Sequence, residues 1–376
     1  MRPIRIISHF IADYLNNHKV LLIALIVALF TMLLVPIDST YLSYFDMRTL
    51  TCLFCTSLVV SGYKNICLFE IIARKIVEKV STLRTGMLCV VFITFIGSMI
   101  LANDMALLTF LPLGYFVLKS SGNEKHMAFL FIMQNIAANL GGMLTPFGNP
   151  QNLYLFSYYQ IPTLEFMKIM FPPFITATLL IIVLCLLQSN TTLHLVESKD
   201  YPIDKERTIL YTILFVISIL VVFRVFPYYW GLIAISLAMY VLDPKAFIGV
   251  DYALLLTFCC FFIFAGNLAR IPLVNDIVSN LISINPLWIG VASCQFMSNV
   301  PSSILLSKFT TNYPALLVAV NIGGCGTLIA SLASLITFST YKQFNEKGTL
   351  RYLIQFSLYN FGFLFVLLLL ETWLLF

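Results

Sequence analysis

Charge is what this sequence has least of. Asp, Glu, Lys and Arg make up 10% of its 376 residues, against about 25% in an ordinary soluble domain. So little polar surface cannot coat a globule of this size, so most of the surface must face lipid. Histidine is scarcer still. His9, His18, His126 and His194 fall at the ends of apolar segments or in loops, which excludes a buried histidine proton relay. HExxH, GxSxG and paired carboxylates within apolar segments are missing, which argues against an intramembrane enzyme. The nine cysteines are scattered. Cys52 and Cys55 make a C-x-x-C, but it lies in an apolar run with no second ligand pair. They read as small packing residues rather than metal or redox groups, and no cofactor is expected. The net charge of +5 fits basic cytoplasmic loops and does not call for nucleic acid.

Apolar length is abundant. Runs such as Val20 to Pro36, Phe166 to Leu187, Thr208 to Val225 and Tyr352 to Leu370 are each about as long as a bilayer is thick. Full spans are expected near 19–36, 49–63, 127–157, 166–188, 207–226, 229–242, 251–267, 314–340 and 352–374. The N-terminus, with Arg2 and Arg5 before an interrupted apolar stretch and no cleavage site after Phe30, reads as a cytoplasmic amphipathic start and not a signal peptide. Two further apolar segments, 85–118 and 284–307, are unlike spans. The second could reach at most about 36 Å as helix, too short for two crossings of a core about 30 Å thick. Met297-Ser298-Asn299-Val300-Pro301 would turn it back at the midplane. If both segments enter and leave on one side and the N-terminus is inside, 17 of the 22 Lys and Arg face the cytoplasm, a strong positive-inside bias. A multi-pass protein of the cell membrane, with lipid as its solvent, is expected.

Three landmarks recur in order. Ser61-Gly62 matches Ala265-Gly266. Ala102-Asn103 matches Ser298-Asn299. Asn139-Leu-Gly-Gly-Met-Leu-Thr145 matches Asn321-Ile-Gly-Gly-Cys-Gly-Thr327. On the topology above, the halves run in opposite senses. The expected fold is therefore all-α and polytopic. It has two inverted repeats, each with a re-entrant helical hairpin and a broken transmembrane helix. The first repeat is 1–188, with hairpin 85–118 and broken helix 127–157. A cytoplasmic linker covers 189–206. The second repeat is 207–376, with hairpin 284–307 and broken helix 314–340. Residues 66–80 and 268–282 read as interfacial arms that carry the hairpins.

The chemistry is expected where tips meet breaks. Asn103 and Asp104 lie deep in an apolar run, where a carboxylate is costly and marks function by default. Asp104 could also cap the second hairpin leg. Thr145-Pro146-Phe147-Gly148-Asn149-Pro150-Gln151-Asn152 cannot continue a helix. Its freed carbonyls could ligate a cation, and the exposed helix N-terminus could hold an anion. Gly323, Gly324, Gly326, Thr327, Ser331 and Ser334 make a softer second break, for which close helix packing is an equal reading at the glycines.

The tip A-N-D, the following G-G-x-x-T-P-x-G-N-P-x-N, the second tip S-N-x-P and the late N-I-G-G-x-G-T-L-I-A-S-x-A-S closely resemble the ion transporter superfamily. That superfamily holds divalent anion/sodium symporters (citrate and dicarboxylate carriers), arsenite permeases and sodium/proton antiporters. The resemblance spans nearly the whole chain. It implies an elevator-type secondary transporter and a homodimer. It also implies one cation site at each tip: Asn103, Thr145, Gly148 and Asn149 at the first, and Ser298, Asn299, Thr327 and Gly323 at the second. Asn139, Asn152 and Asn321 complete the expected substrate and ion region. Na+ is placed at Asn103, Asp104 and Gly148, and at Ser298, Asn299 and Thr327. The sodium–carboxylate symporters carry S-N-T at both tips. Here a carboxylate replaces a hydroxyl at one tip, and Val300 replaces it at the other. Asp104 is therefore the expected carrier of a coupling proton or ligand of a coupling Na+. A small di- or tricarboxylate or inorganic oxyanion is the expected substrate, ahead of arsenite efflux or Na+/H+ antiport.

Overall fold

The computed structural model describes residues 18–192, 202–345 and 348–375. The expected amphipathic start before His18 and the middle of the 189–206 linker lie outside the described residues. In chain order the helices are α1 (Lys19–Leu34), α2 (Met47–Asn65), α3 (Leu68–Val77), α4 (Leu83–Leu101), α5 (Asn103–Ser120), α6 (Met127–Gly141), α7 (Pro150–Tyr158), α8 (Thr163–Leu186) and α9 (Lys205–Val222). They continue with α10 (Tyr228–Leu242), α11 (Tyr252–Arg270), α12 (Pro272–Ile284), α13 (Pro286–Met297), α14 (Asn299–Leu306), α15 (Tyr313–Ile322), α16 (Leu332–Phe344) and α17 (Thr349–Leu375). Apart from short 3-10 turns and one isolated bridge between Thr82 and Thr192, the described regular structure is helical.

Local chemistry sets many of the starts. Asp46, Asp204 and Asp251 accept a backbone N–H from the first turns of α2, α9 and α11, and Asn285, Asn312 and Ser331 do the same for α13, α15 and α16. Proline opens α7, α12 and α13, where its missing N–H costs nothing. Burial then sorts the helices. In the segment Glu124–Leu144, 89% of the apolar window is buried inside the protein, against 28% in α8. Thus α6 is central and α8 is peripheral, its exposed Leu179 and Val183 left for lipid.

Among the described residues five segments are long and apolar enough to cross a membrane: α4, Glu124–Leu144, α8, α11 and α17. A sixth arises if α2 and α3, bent by 60°, count together. Helices fall close to all nine expected spans, but α1, with 16 residues, and α10, with 15, reach only about 22–24 Å. Of the expected interfacial arms, 66–80 becomes α3 and 268–282 becomes the end of α11 followed by α12.

Both predicted hairpin segments are helix pairs folded back about a single residue. Ala102 joins α4 to α5, and Gln134 on α6 ties the pair together by donating to Thr94 Oγ1 at 3.0 Å and to the Phe110 carbonyl at 2.8 Å. Ser298 joins α13 to α14, and the hydroxyls of Ser293 and Ser302 meet across the fold at 2.9 Å. The legs of α13 and α14, 12 and 8 residues, are far too short to span. Those of α4 and α5, 19 and 18 residues, are each nearly span-length.

A second correspondence lies outside the tips. Asp38 opens the six-residue turn Ser39–Tyr44, Asp46 caps α2, and α2 has 19 residues. Asp243 opens the six-residue turn Pro244–Gly249, Asp251 caps α11, and α11 has 19 residues. The two units hold each other reciprocally. Arg270, the last residue of α11, pairs with Asp38 at 2.6 and 3.1 Å. Asn65, the last residue of α2, donates to Asp243 at 2.8 Å.

Candidate functional site

The tips begin with unusual backbone. Ala102 has φ 65° and ψ 157°, and Ser298 has φ 74° and ψ 159°. That region is essentially reserved for glycine, and holding another residue there costs roughly 1–3 kcal/mol. The strain has the same result at both tips. An Asn follows as the first helical residue, and its side-chain oxygen accepts the next N–H: Asp104 N to Asn103 Oδ1 at 3.1 Å, and Val300 N to Asn299 Oδ1 at 2.9 Å. Asn103 and Asn299 are both buried.

The breaks lie against the tips. After Gly141 the α6 line tightens through Gly142–Leu144, leaves helix at Thr145 and restarts at Pro150. Asn152 repairs the gap by directing its amide at the carbonyls of Gly142, Met143 and Thr145, at 3.3–3.4 Å. Gly148 has to be glycine, because a Cβ there would run into the Gly142 carbonyl. The second break runs from Gly323 to Ser331, where α16 is capped. Here the repair comes from Gln295 on α13. Its amide nitrogen donates to the carbonyls of Gly323 at 3.0 Å and Cys325 at 3.1 Å, and its oxygen accepts from Thr327 N at 2.9 Å. Gly326, at φ +121°, lets the chain pass that side chain.

A net of asparagines joins the halves. Asn103 Nδ2 donates to Asn139 Oδ1 at 3.2 Å, and Asn139 Nδ2 donates to Ser331 Oγ at 3.1 Å. Asn149 Nδ2 reaches the Asn139 carbonyl at 3.2 Å and Asn321 Oδ1 at 3.5 Å. Asn321 Nδ2 donates to Asn152 Oδ1 at 2.6 Å. Every asparagine in this net is buried, so the amides depend on one another, on Ser331 and on backbone carbonyls for their partners.

Above the net is a cavity of about 320 Å³. Four helix N-termini reach its wall: α5 with Asn103 and Asp104, α7 with Pro150 and Gln151, α14 with Asn299 and Val300, and α16 with Leu332. The first three have no side-chain cap, which leaves the positive ends of their dipoles facing inward. Most of the rest is apolar, from α1 (Val20, Ile23) and α11 (Phe261, Phe264), with Thr257 and Ser298 adding hydroxyls. Among the described residues no Lys, Arg or His lines it, and Asp104 is the one charged side chain on its wall. The Asp104 Oδ1 atom is buried without a hydrogen-bond partner, as are Oε1 of Gln151 and Oδ1 of Asn149.

Of the residues singled out from the sequence, Asn103, Asp104, Ser298 and Asn299 line this cavity. Asn139, Asn149, Asn152 and Asn321 form the net behind it. Thr145, Gly148, Gly323 and Thr327 lie in the breaks and away from the cavity wall. The Thr145 hydroxyl makes one long bond, to the Met99 carbonyl at 3.4 Å, while Thr327 is bonded to Gln295. Ser298 and Asn299 are fastened to the second break through the Ala330 carbonyl, at 3.3 and 3.0 Å. Sequence reading placed Gln151 and Ser331 in the breaks and missed Gln295 and Asp251. Gln295 stood in an apolar run and could have been flagged by the cost of a buried amide. Asp251 could not, since it sits at a helix start where an Asp is ordinary.

With this geometry in place, comparison with known proteins is informative. The profile of a family described as "Citrate transporter" matches residues 9–318. An uncharacterized transporter of Methanocaldococcus jannaschii is 32% identical over 293 residues, covering 78% of this chain and 80% of that one. The inner membrane protein YbiR of Escherichia coli is 29% identical over 296 residues, covering 77% and 79%.

Proposed function

The chain belongs to the citrate transporter family, a multi-pass membrane transporter, and from that premise we propose that it is an ion-coupled secondary carrier for a small di- or tricarboxylate or inorganic oxyanion. The observation that carries this reading is the cavity whose wall gathers four helix N-termini and one carboxylate. An anion there is held by the positive dipole ends of α5, α7 and α14, whose N-cap side chains make no cap bond. Among the described residues no basic side chain lines the wall, and an anion there shares the site with Asp104. Two like charges in a low-dielectric cavity repel strongly. Binding therefore requires that a proton or Na+ neutralise Asp104 first, and this order couples the two fluxes. The amide net and the oxygens of Asn103, Asp104 and Gly148 supply the first cation position. Those of Ser298, Asn299 and Thr327 supply the second.

The proposed architecture is two inverted repeats, 1–188 and 207–376, joined by a cytoplasmic linker at 189–206, with the N-terminus inside and two chains forming a dimer. Its support is the paired tips, the paired breaks and the reciprocal bonds of Asp38 and Asp243. In this arrangement the tips and breaks move as an elevator against α2 and α11. Re-entrance of α4–α5 is favoured by its likeness to the short α13–α14 pair, whose legs cannot span.

One observation favours a second reading. A cavity without Lys or Arg also suits an uncharged hydroxo acid, as in the arsenite permeases whose A-N-D tip this chain shares. Thermal unfolding against citrate, succinate, malate, sulfate, phosphate and arsenite, with and without Na+ and at two pH values, separates the readings. A ligand that binds the folded state at 100 times its Kd adds about 2.7 kcal/mol. Stabilisation by a carboxylate that needs Na+ or acid supports the anion carrier. Stabilisation by arsenite alone selects the permease. A response to Na+ or pH with no ligand effect points to an antiporter.

A further inference from the structure

Asp104 stands between two cavities. Beyond the one described lies a smaller space of about 60 Å³, walled by Thr56 and Ser57 of α2, Ala102, Asp104, and Asp251 and Leu254 at the start of α11. The two spaces share Asp104, Pro150 and Leu254. One water needs roughly 10–15 Å³ of such room, so the smaller space admits an ion with a few waters and no organic acid. Its polar groups include two carboxylates and two hydroxyls. Asp251 is set in position at both ends: its Oδ1 accepts from Leu254 N at 2.9 Å, and its own N–H donates to Ser57 Oγ at 3.3 Å. The Asp104 Oδ1 atom is buried with no partner. Among the described residues no other titratable side chain lines either space. Cys52 and Cys55 on α2, Cys89 on α4, Tyr154 on α7 and Tyr252 on α11 belong to neither wall.

Two carboxylates around one small space in low dielectric repel, and a positive charge between them removes the repulsion. We infer that this smaller cavity is a monovalent-cation site, for Na+ or H+, held by Asp104 and Asp251 with the Ser57 and Thr56 hydroxyls. It is distinct from the anion cavity and is reached from the α2 and α11 side. It rests on the ion-coupled reading only for its role in transport. Among the described residues no three His, Cys, Asp or Glu side chains gather to hold a metal ion, which argues for a monovalent occupant. The second tip has no counterpart. Val300 stands where Asp104 would be, and Asp46, which caps α2 as Asp251 caps α11, lines a separate pocket with Arg48 and Tyr158. Among the described residues there is thus one such carboxylate pair. Because Asp251 and Ser57 belong to helices outside the tip, the bound cation ties the first tip to α2 and α11.

The test uses the purified full-length protein as wild type, Asp251→Asn, Asp104→Asn and Ser57→Ala. Apparent Tm is read in two arms without anion: NaCl against choline chloride at fixed pH, and pH at fixed choline chloride. Both are repeated with citrate. Asn caps a helix as well as Asp does, so Asp251→Asn keeps the start of α11. The wild type is expected to gain stability along one arm, Na+ or acid, and that arm identifies the cation. Asp251→Asn is expected to move the midpoint by about tenfold in concentration, the effect of about 1.4 kcal/mol, with Ser57→Ala moving it less in the same direction. Midpoints of Asp251→Asn equal to wild type in both arms overturn the inference. If that variant does not fold, unmoved midpoints in Ser57→Ala overturn it. If citrate stabilises the wild type while Asp251→Asn leaves the cation midpoint unchanged, the site fails and the carrier reading stands. If no anion stabilises the wild type but Asp251→Asn shifts the midpoint, the carrier reading fails and the site stands.

Discussion

Ala102 and Ser298 turn their helix pairs with nearly the same backbone, and each is followed by an Asn that closes on the next N–H. What comes next differs. At the first tip a carboxylate faces two cavities, and Asn103 is tied to Asn139. At the second tip Val300 is inert, and the backbone is bolted to the neighbouring break through the Ala330 carbonyl. The breaks differ in the same way. The first is closed by its own Asn152, and the second by Gln295 from the tip helix α13. Two tips with nearly the same backbone thus offer different things. The first presents a carboxylate, and the second is tied to its neighbouring break.

Substitutions can break that contrast. The largest effect is expected from Asp104→Asn. Removing the charge mimics the neutralised state, so anion binding should persist but lose its dependence on Na+ or pH, and gradient-driven accumulation should fall by roughly tenfold or more. Val300→Asn should change neither by more than about twofold, as expected for a position without a charge to lose. Uptake into proteoliposomes, paired with binding by thermal shift, reads both. Next is Gln295→Ala, which leaves the Gly323 and Cys325 carbonyls and the Thr327 N–H unpaired and should destabilise by about 3 kcal/mol. Thr145→Ala, which deletes one bond of 3.4 Å, should cost less than about 1 kcal/mol. Denaturant or thermal unfolding in one detergent compares them.

Smaller effects should sharpen the contrast. Ala102→Gly relieves a strained φ and should stabilise by about 1 kcal/mol. Ser298→Gly relieves the same strain but loses the hydroxyl contact to Ala330, so its net gain should be smaller. The least effect is expected at the reciprocal brackets. The hydrogen bond from Arg270 holds Asp38 below its ordinary carboxylate range. A depressed folded value means that the contribution is present above the unfolded value, about 3.9, and fades as pH falls through the folded one. Acid unfolding of Asp38→Asn should therefore differ from wild type by its full amount above about pH 4 and converge on wild type as pH falls below that.

Much of the helical layout was legible, because long apolar runs, proline-glycine breaks and the repeated N-x-G-G-x-x-T are local signals. The tips were legible too, since an Asn-Asp deep in an apolar run has few structural excuses. Less legible was which polar residues face the cavity and which brace the backbone. Asn139, Asn149, Asn152 and Asn321 look like ligands in sequence, yet they spend their amides on one another and on broken carbonyls. Thr327 looks like a tip ligand and is held by Gln295. That Asp104 and Asp251 line one small cavity is not visible in the sequence. It depends on the turn Pro244–Gly249 carrying Asp251 along α2 to Ser57, a tertiary contact that no spacing encodes.

The most direct measurement is uptake of labelled citrate into proteoliposomes under an imposed Na+ or pH gradient. Accumulation above the outside concentration, abolished by collapsing the gradient and lost in Asp104→Asn, is the expected result. Uptake that only equilibrates whatever the gradient, and is the same in Asp104→Asn, would contradict ion coupling at the first tip.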